Sequence, residues 1–166
     1  MVKTTKSLIK KINNKMSQSL AKIYIHLIFS TKERFPFIIT EWRKKLHAFI
    51  AGILKNCTNL SFSIIGGTAD HIHILFCLPA NKTLADIIKD IKRDSSLWMK
   101  EQGCQKFMWQ GGYAAFSVSE SIVETTSNYI IKQDEHHKKM SFTEEVAKFC
   151  ALYKIEKYDE VYFTND

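Results

Sequence analysis

Two short stretches of this chain carry side chains whose types and spacing suit work on a phosphodiester: Asp70-His71-Ile72-His73-Ile74-Leu75 and, further along, Tyr129-Ile130-Ile131-Lys132-Gln133. Apolar β-branched residues run through the first, and Gly66-Gly67 and Pro79 bound it, which predicts a strand. Alternate side chains of a strand share a face, so His71 and His73 point the same way, about 7 Å apart. Two imidazoles at that spacing can grip one divalent cation. The second stretch predicts a helix, on which positions four apart are neighbours, so Tyr129 and Gln133 project together. A metal pair, a phenol and an amide are the parts of a site for attack on phosphorus. Each part alone also has a plainer reading. The histidines can be a half-buried, hydrogen-bonded pair on a sheet face, and the helix an amphipathic one with its phenol at the water boundary.

The elements that must hold these residues follow from the apolar periodicity. Residues 20–30 are apolar on both faces, which predicts a central strand covered on each side. His26 within it reads as a satisfied core histidine that can line the same cleft. Arg34-Phe35-Pro36-Phe37 is a loop, and Thr40 is placed to cap a helix with Trp42, Leu46, Phe49, Ile50 and Ile53 as its buried stripe. Residues 60–65 predict a second strand, with Gly66-Gly67 as the turn into the histidine strand. There His71, His73, Leu75 and Cys77 face one way, and Ile72, Ile74, Phe76 and Leu78 the other.

Thr83, with Asp86 three residues on, opens a helix whose inward residues are Leu84, Ile87, Ile88, Ile91 and Trp98. Lys89, Lys92, Arg93, Ser96 and Lys100 lie largely on another face, expected to be free of interspersed acids. That face is either an ordinary solvated one or a surface that contacts phosphates. Gly103 ends the helix, residues 113–119 form a fourth strand, and Glu120-Ser121 turns into the Tyr129 helix. Ser141-Phe142-Thr143-Glu144 is a capping box opening a last amphipathic helix with Val146, Phe149, Cys150 and Tyr153. No carboxylate falls on the histidine face: Asp70 has the opposite parity and reads as structural, while His136 and His137 read as surface or hinge residues. The order β-α-β-β-α-β followed by extra helices predicts an α+β, ferredoxin-like antiparallel sheet with two helices on one face. The histidine pair then belongs on the other face, under the Tyr129 helix.

At 166 residues the chain suits one domain, taken as residues 17–166. Residues 1–16, dotted with Lys3, Lys6, Lys10, Lys11 and Lys15, read as a basic tail, either disordered or an upstream extension. A formal charge of +7 suits a polyanionic partner. No apolar run approaches a membrane span and nothing at the start resembles a secretory signal. Cys57, Cys77, Cys104 and Cys150 form no Cys-x-x-Cys pair, so reduced packing cysteines in a cytoplasmic protein are expected.

Five stretches, read together, are more specific than the histidine pair. They are Tyr24-Ile25-His26-Leu27-Ile28-Phe29-Ser30-Thr31-Lys32, Gly66-Gly67-Thr68-Ala69-Asp70-His71-Ile72-His73-Ile74-Leu75, Ile91-Lys92-Arg93-Asp94-Ser95-Ser96, Trp109-Gln110-Gly111-Gly112-Tyr113-Ala114-Ala115-Phe116-Ser117-Val118-Ser119, and Tyr129-Ile130-Ile131-Lys132-Gln133-Asp134-Glu135-His136-His137. In this order, and over nearly the whole chain, they resemble the small single-tyrosine transposases of bacterial insertion sequences. These are the His-hydrophobic-His enzymes of the insertion sequence 200/605 type, which include the repeat-associated tyrosine transposases.

The resemblance implies a transposase that cuts and rejoins single-stranded DNA by metal-assisted transesterification through a 5′-phosphotyrosine. By resemblance, Tyr129 is the nucleophile, and His71, His73 and Gln133 hold a divalent metal, magnesium or manganese. It further implies hairpins at element ends as DNA partners, a homodimer, no small-molecule cofactor and a bacterial cytoplasmic setting. Arg34, Lys89, Lys92, Arg93, Ser96 and Lys100 are the candidate DNA contacts. A histidine-triad hydrolase would need a third histidine where Leu75 stands. A two-histidine phosphoesterase would need two separate His-x-Thr/Ser motifs. Two alternatives stay open: a domesticated repeat-associated tyrosine nuclease, and a non-catalytic module that binds single-stranded nucleic acid. The second needs stacking aromatics on the sheet face where this chain has histidines.

Overall fold

Side-chain parity along the strands decides what each face of the sheet can carry. The computed structural model describes residues 20–58 and 62–156. Its strands are β1 (Ile23–Ser30), β2 (Ser63–Gly67), β3 (His71–Leu78) and β4 (Ala114–Val118). They form one sheet in the order β2-β3-β1-β4 with every neighbouring pair antiparallel. The register sets His73 opposite Ile28 and His71 opposite Ser30. The two central strands are buried almost throughout, as their continuous apolar runs require.

One face carries Ile25, Leu27, Phe29, Ile72, Ile74 and Phe76. It is covered by α1 (Thr40–Thr58), which buries Leu46, Ile50 and Leu54, and α2 (Leu84–Glu101), which buries Ile87, Ile88 and Ile91. Both helices turn an apolar stripe of period 3.6 towards the sheet, and each fully buried residue contributes about 1.5–3 kcal/mol of transfer free energy. The Thr83 hydroxyl caps α2 by accepting from the Asp86 N–H.

The opposite face, of His71 and His73 parity, is covered by α3 (Val123–Ile131), a short helical turn α4 (Gln133–His136) and α5 (Phe142–Leu152). Ile130 of α3 packs with Tyr24, Leu75 and Val118, while Phe142, Val146 and Cys150 of α5 pack on Ile28, Ala114 and Phe116. The Ser141–Glu144 capping box opens α5 with both reciprocal bonds in place. This is the expected α+β, ferredoxin-like arrangement, with two helices on one face and the histidine pair on the other.

Several local expectations shift. Gly66 and Gly67 end β2 rather than forming the turn, which falls at 68–70. Thr40 lies inside α1 rather than capping it, because the N–H groups of Trp42 and Arg43 bond to the Ile39 carbonyl. Tyr129 and Gln133 do not share one helix: α3 stops at Ile131, and Lys132 (φ −93°, ψ 22°) leaves helical geometry before α4 begins. Asp134, just after this break, is held from α1 by the Arg43 guanidinium at 2.8 and 2.9 Å. The basic tail expected at 1–16, and the start of the strand expected at 60–65, lie outside the described residues. No described helix is long and apolar enough to cross a membrane.

Candidate active site

The Nδ1 atoms of three histidines are each occupied, and that fixes what their Nε2 atoms can do. His71 Nδ1 lies 2.7 Å from Asp70 Oδ1. A carboxylate only accepts, so Nδ1 carries the proton and Nε2 keeps its lone pair. The Asp70 carboxylate is itself held by the Thr68 hydroxyl and by Arg34, whose Nε lies 2.9 Å from Oδ2. Arg34 reaches it from a tight turn in which Glu33 and Arg34 both have positive φ, and its guanidinium stacks 4.2 Å over Phe142. His137 Nδ1 donates to the Met140 carbonyl at 3.0 Å, so in the neutral ring Nε2 is the lone-pair donor. His73 Nδ1 pairs with His26 Nε2 at 2.9 Å. Burial, with His73 alongside, pushes His26 down to about 3, so the His26 ring is neutral at ordinary pH.

These atoms converge. One donor each from His71, His73, His137 and Glu145 lies within 4.8 Å of all the others. The Nε2 atoms of the three histidines, Glu145 Oε2 and Gln133 Oε1 are buried without hydrogen-bond partners. Buried polar atoms left in that state are costly, and a shared cation would satisfy them together. The donor set therefore fits a divalent metal. The Nδ1 partners correspond to the outer contacts that fix tautomer and ring orientation at metal sites.

Glu145 links this cluster to the phenol. Its Oε2 is 3.1 Å from His137 Nε2 and 3.3 Å from His73 Nε2. Its Oε1 accepts from the Tyr129 hydroxyl and, at 3.1 Å, from the Gln133 amide nitrogen. His136 Nε2 also lies 3.1 Å from the Tyr129 hydroxyl. Burial and then the hydrogen bond and charge of Glu145 raise the phenol well above its ordinary range. Burial works against the Glu145 charge, but His137, His73 and Tyr129 outweigh it and hold the carboxyl well below the usual range. Burial pushes His71 down to about 4 despite Asp70, leaving a neutral ring. A cavity of about 190 Å³ lined by Tyr129, His136, Met140, Glu145, Lys148 and Phe149 opens beside the hydroxyl.

Tyr129, His71, His73 and Gln133 are thus brought together, with Glu145 between them. The expectation that no carboxylate reaches the histidine face is wrong, and His137 is not a surface residue. Glu145 occupies a core position of α5, on the stripe of Phe142, Val146 and Phe149, and an acid on an apolar stripe is the signal that could have found it.

The basic candidates are placed differently. Arg34 is committed to Asp70 and Phe142. Lys89, Lys92, Arg93, Ser96 and Lys100 lie on α2, across the sheet from the histidines. The expected acid-free face does not form, since Arg93 pairs with Asp94 at 2.7 Å and Asp90 at 3.0 Å. Lys92 turns inward, donating to the carbonyls of Gln110 (2.9 Å) and Gly112, and burial pushes its ammonium down to about 8.

Comparison with known proteins bears on all of this. A family model described as "Transposase IS200 like" matches residues 5–133. No curated protein matches the chain. A protein of Deinococcus radiodurans R1, provisionally described as a transposase, shares the fold with a TM-score of 0.54 at 22% identity, over 70% of this chain and 95% of its own. A REP-associated tyrosine transposase bound to a REP hairpin aligns with a TM-score of 0.53 at 15% identity, over 92% of this chain and 94% of its own.

Proposed function

The chain belongs to the IS200-like transposase family, and on that premise we propose that it cuts and rejoins single-stranded DNA with Tyr129 as nucleophile. The phenolic oxygen forms a bond to phosphorus as the bond to the 3′-oxygen breaks. The phenol gives up a proton, the departing 3′-oxygen takes one, and a 5′-phosphotyrosine keeps the bond energy for resealing. No water, oxidant or reductant enters the balance.

The observation that carries this reading is the Tyr129 hydroxyl bonded to a carboxylate on which the free Nε2 atoms of His73 and His137 also converge. A phenol is protonated at neutral pH, the more so here, so the attack needs help. A divalent ion held by His71 and His73, with Gln133 as the third ligand by family resemblance, would polarise the phosphate oxygens and orient the scissile group. Imidazole donors do not by themselves select the ion, while positions filled by phosphate oxygens and water would suit magnesium or manganese. The chain's own residues do the rest: Asp70 and His26 fix the ligand rings, Glu145 holds the hydroxyl, and α3 and α5 narrow the approach of solvent.

We take a single-stranded hairpin as the DNA partner, in keeping with the hairpin bound to the solved REP-associated transposase. The chemistry favours a homodimer, because one tyrosine carries one covalent end at a time and joining two ends needs two sites. The α2 surface, across the sheet from Tyr129, would meet DNA away from the scissile phosphate.

The test is a denaturing gel of the protein mixed with single-stranded DNA from its own genomic flanks and manganese. A metal-dependent covalent band should appear with the wild type and vanish in Tyr129→Phe, while Tyr129→Phe still binds that DNA. Full cleavage by Tyr129→Phe would overturn the assignment.

A further inference from the structure

We propose that Glu145 and His137 complete the metal centre and that Glu145 bridges it to the nucleophile, one carboxylate oxygen on the ion and the other on the Tyr129 hydroxyl. The inference rests on the reading of His71 and His73 as metal ligands. It concerns residues that lie beyond the segment matched by the family model, which ends at residue 133.

Three observations carry it. Glu145 is 1% exposed, and a carboxylate is buried that deeply only when it is paired or bound to a metal. Its two oxygens have different surroundings: Oε1 accepts from Tyr129 and Gln133, while Oε2 lacks a hydrogen-bond partner and faces His73 and His137. Finally, the His137 Nε2 lone pair is aimed by the Met140 carbonyl behind it, as Asp70 aims that of His71. A carboxylate and three imidazoles, all within 4.8 Å of one another, need the widest pair to close in by about an ångström, since four ligands set tetrahedrally at about 2.0–2.2 Å from an ion sit about 3.3–3.6 Å apart.

Gln133 then has a second part beside the one the resemblance gives it. Its amide nitrogen orients the Glu145 carboxylate at 3.1 Å. The bridge also explains why α5 carries an acid on its buried face. Loading the ion and positioning the phenol become one event, because both act on the same carboxylate.

The test uses the full-length protein stripped of metal and titrated with Co²⁺ and Mn²⁺. A centre of three imidazoles and a carboxylate gives cobalt the intense visible bands of low coordination, whereas two histidines completed by water give a pale six-coordinate spectrum. The wild type should show the intense bands. Glu145→Gln and His137→Ala should lose them and bind Mn²⁺ at least ~10-fold more weakly by calorimetry, the loss that even a supporting residue can cause. In protein carrying fluorotyrosine, the ¹⁹F resonance missing from Tyr129→Phe should shift when Zn²⁺ is added to the wild type and stay still in Glu145→Gln.

A pale wild-type spectrum, with binding still abolished by His71→Ala, overturns the bridge and leaves the metal reading intact. Absence of metal binding by the wild type overturns both. The wild-type spectrum needs no variant, so misfolding of Glu145→Gln would not leave the proposal undecided.

Discussion

A histidine ligand is only as well placed as the group on its other nitrogen. Asp70 shows this at the scale of one residue. Its sequence parity puts it off the histidine face, which is why it reads as structural, yet its carboxylate grips His71 Nδ1 from the side while Arg34 and Thr68 hold it in turn. Burial alone would raise the Asp70 pKa, but His71 and Arg34 overcome it and keep the carboxyl well below its ordinary range, so the ring faces a full negative charge. Asp70→Asn keeps the size and removes the charge, and it lets the amide present either a donor or an acceptor to Nδ1. We expect Mn²⁺ affinity to fall by about 10–100-fold with the circular dichroism spectrum unchanged. Calorimetric titration checks this. Unaltered affinity would confine Asp70 to bracing the Arg34 turn.

Among the elements, the position of Tyr129 depends on how closely α3 approaches β2. At Gly66 a Cβ would overlap the Ile130 carbonyl oxygen, so α3 rests on bare backbone one residue after the nucleophile. Gly66→Ala must therefore lift α3, and overpacking of this kind costs about 1–3 kcal/mol. The urea midpoint should drop accordingly. The covalent band should fall by more than the lost folded fraction explains, because the phenol moves relative to the histidines. A midpoint equal to that of the wild type would show that the helix yields without cost.

The same element marks where sequence reasoning runs out. Period-two and period-3.6 patterns disclosed the strands, the faces of β3 and the stripes of α1 and α2, because burial repeats with the geometry of each element. They also placed Tyr129, His71 and His73 on one face. The break at Lys132 was not legible, since no Gly or Pro marks it and the Arg43–Asp134 pair that follows it joins positions far apart in sequence. Nor was the pairing of Glu145 with His73, which only the docking of α5 on β1 and β4 brings about. The Lys92 case has a similar cause: a lysine on a polar-looking face turned inward because loop carbonyls near Gly112 were within reach of it.

At the scale of the whole molecule, buried neutral histidines make the fold sensitive to acid. Burial holds His26 down to about 3, His71 to about 4 and His47, beside Arg43, to about 4, against 6.5 for the exposed ring. The unfolded chain therefore binds more protons than the native one between roughly pH 6.5 and 4. Stability is fully present above that window and is lost as pH falls through it, by about 1.4 kcal/mol per pH unit for each proton taken up. Asp70 and Glu145 act in the same direction but lower down, since their folded values lie below the unfolded carboxylate values of 3.8 and 4.5 and their stabilisation goes only beneath those. Against a total of about 5–15 kcal/mol for a domain, the histidine window alone is large. In chelator, the thermal midpoint should thus hold above pH 7 and fall steeply between pH 6 and 4, before the carboxylates titrate. His47→Gln, outside the His71, His73, His137 and Glu145 cluster, should flatten that descent by about one proton's slope. A native-only ligand adds stability as its concentration exceeds its Kd, so saturating Mn²⁺ should push the acid transition to lower pH in the wild type and leave it unmoved in His71→Ala. A midpoint level from pH 7 to 4 in chelator would mean that these rings are hydrated when the protein is folded, and the neutral His71 ligand argued from its burial would fail with it.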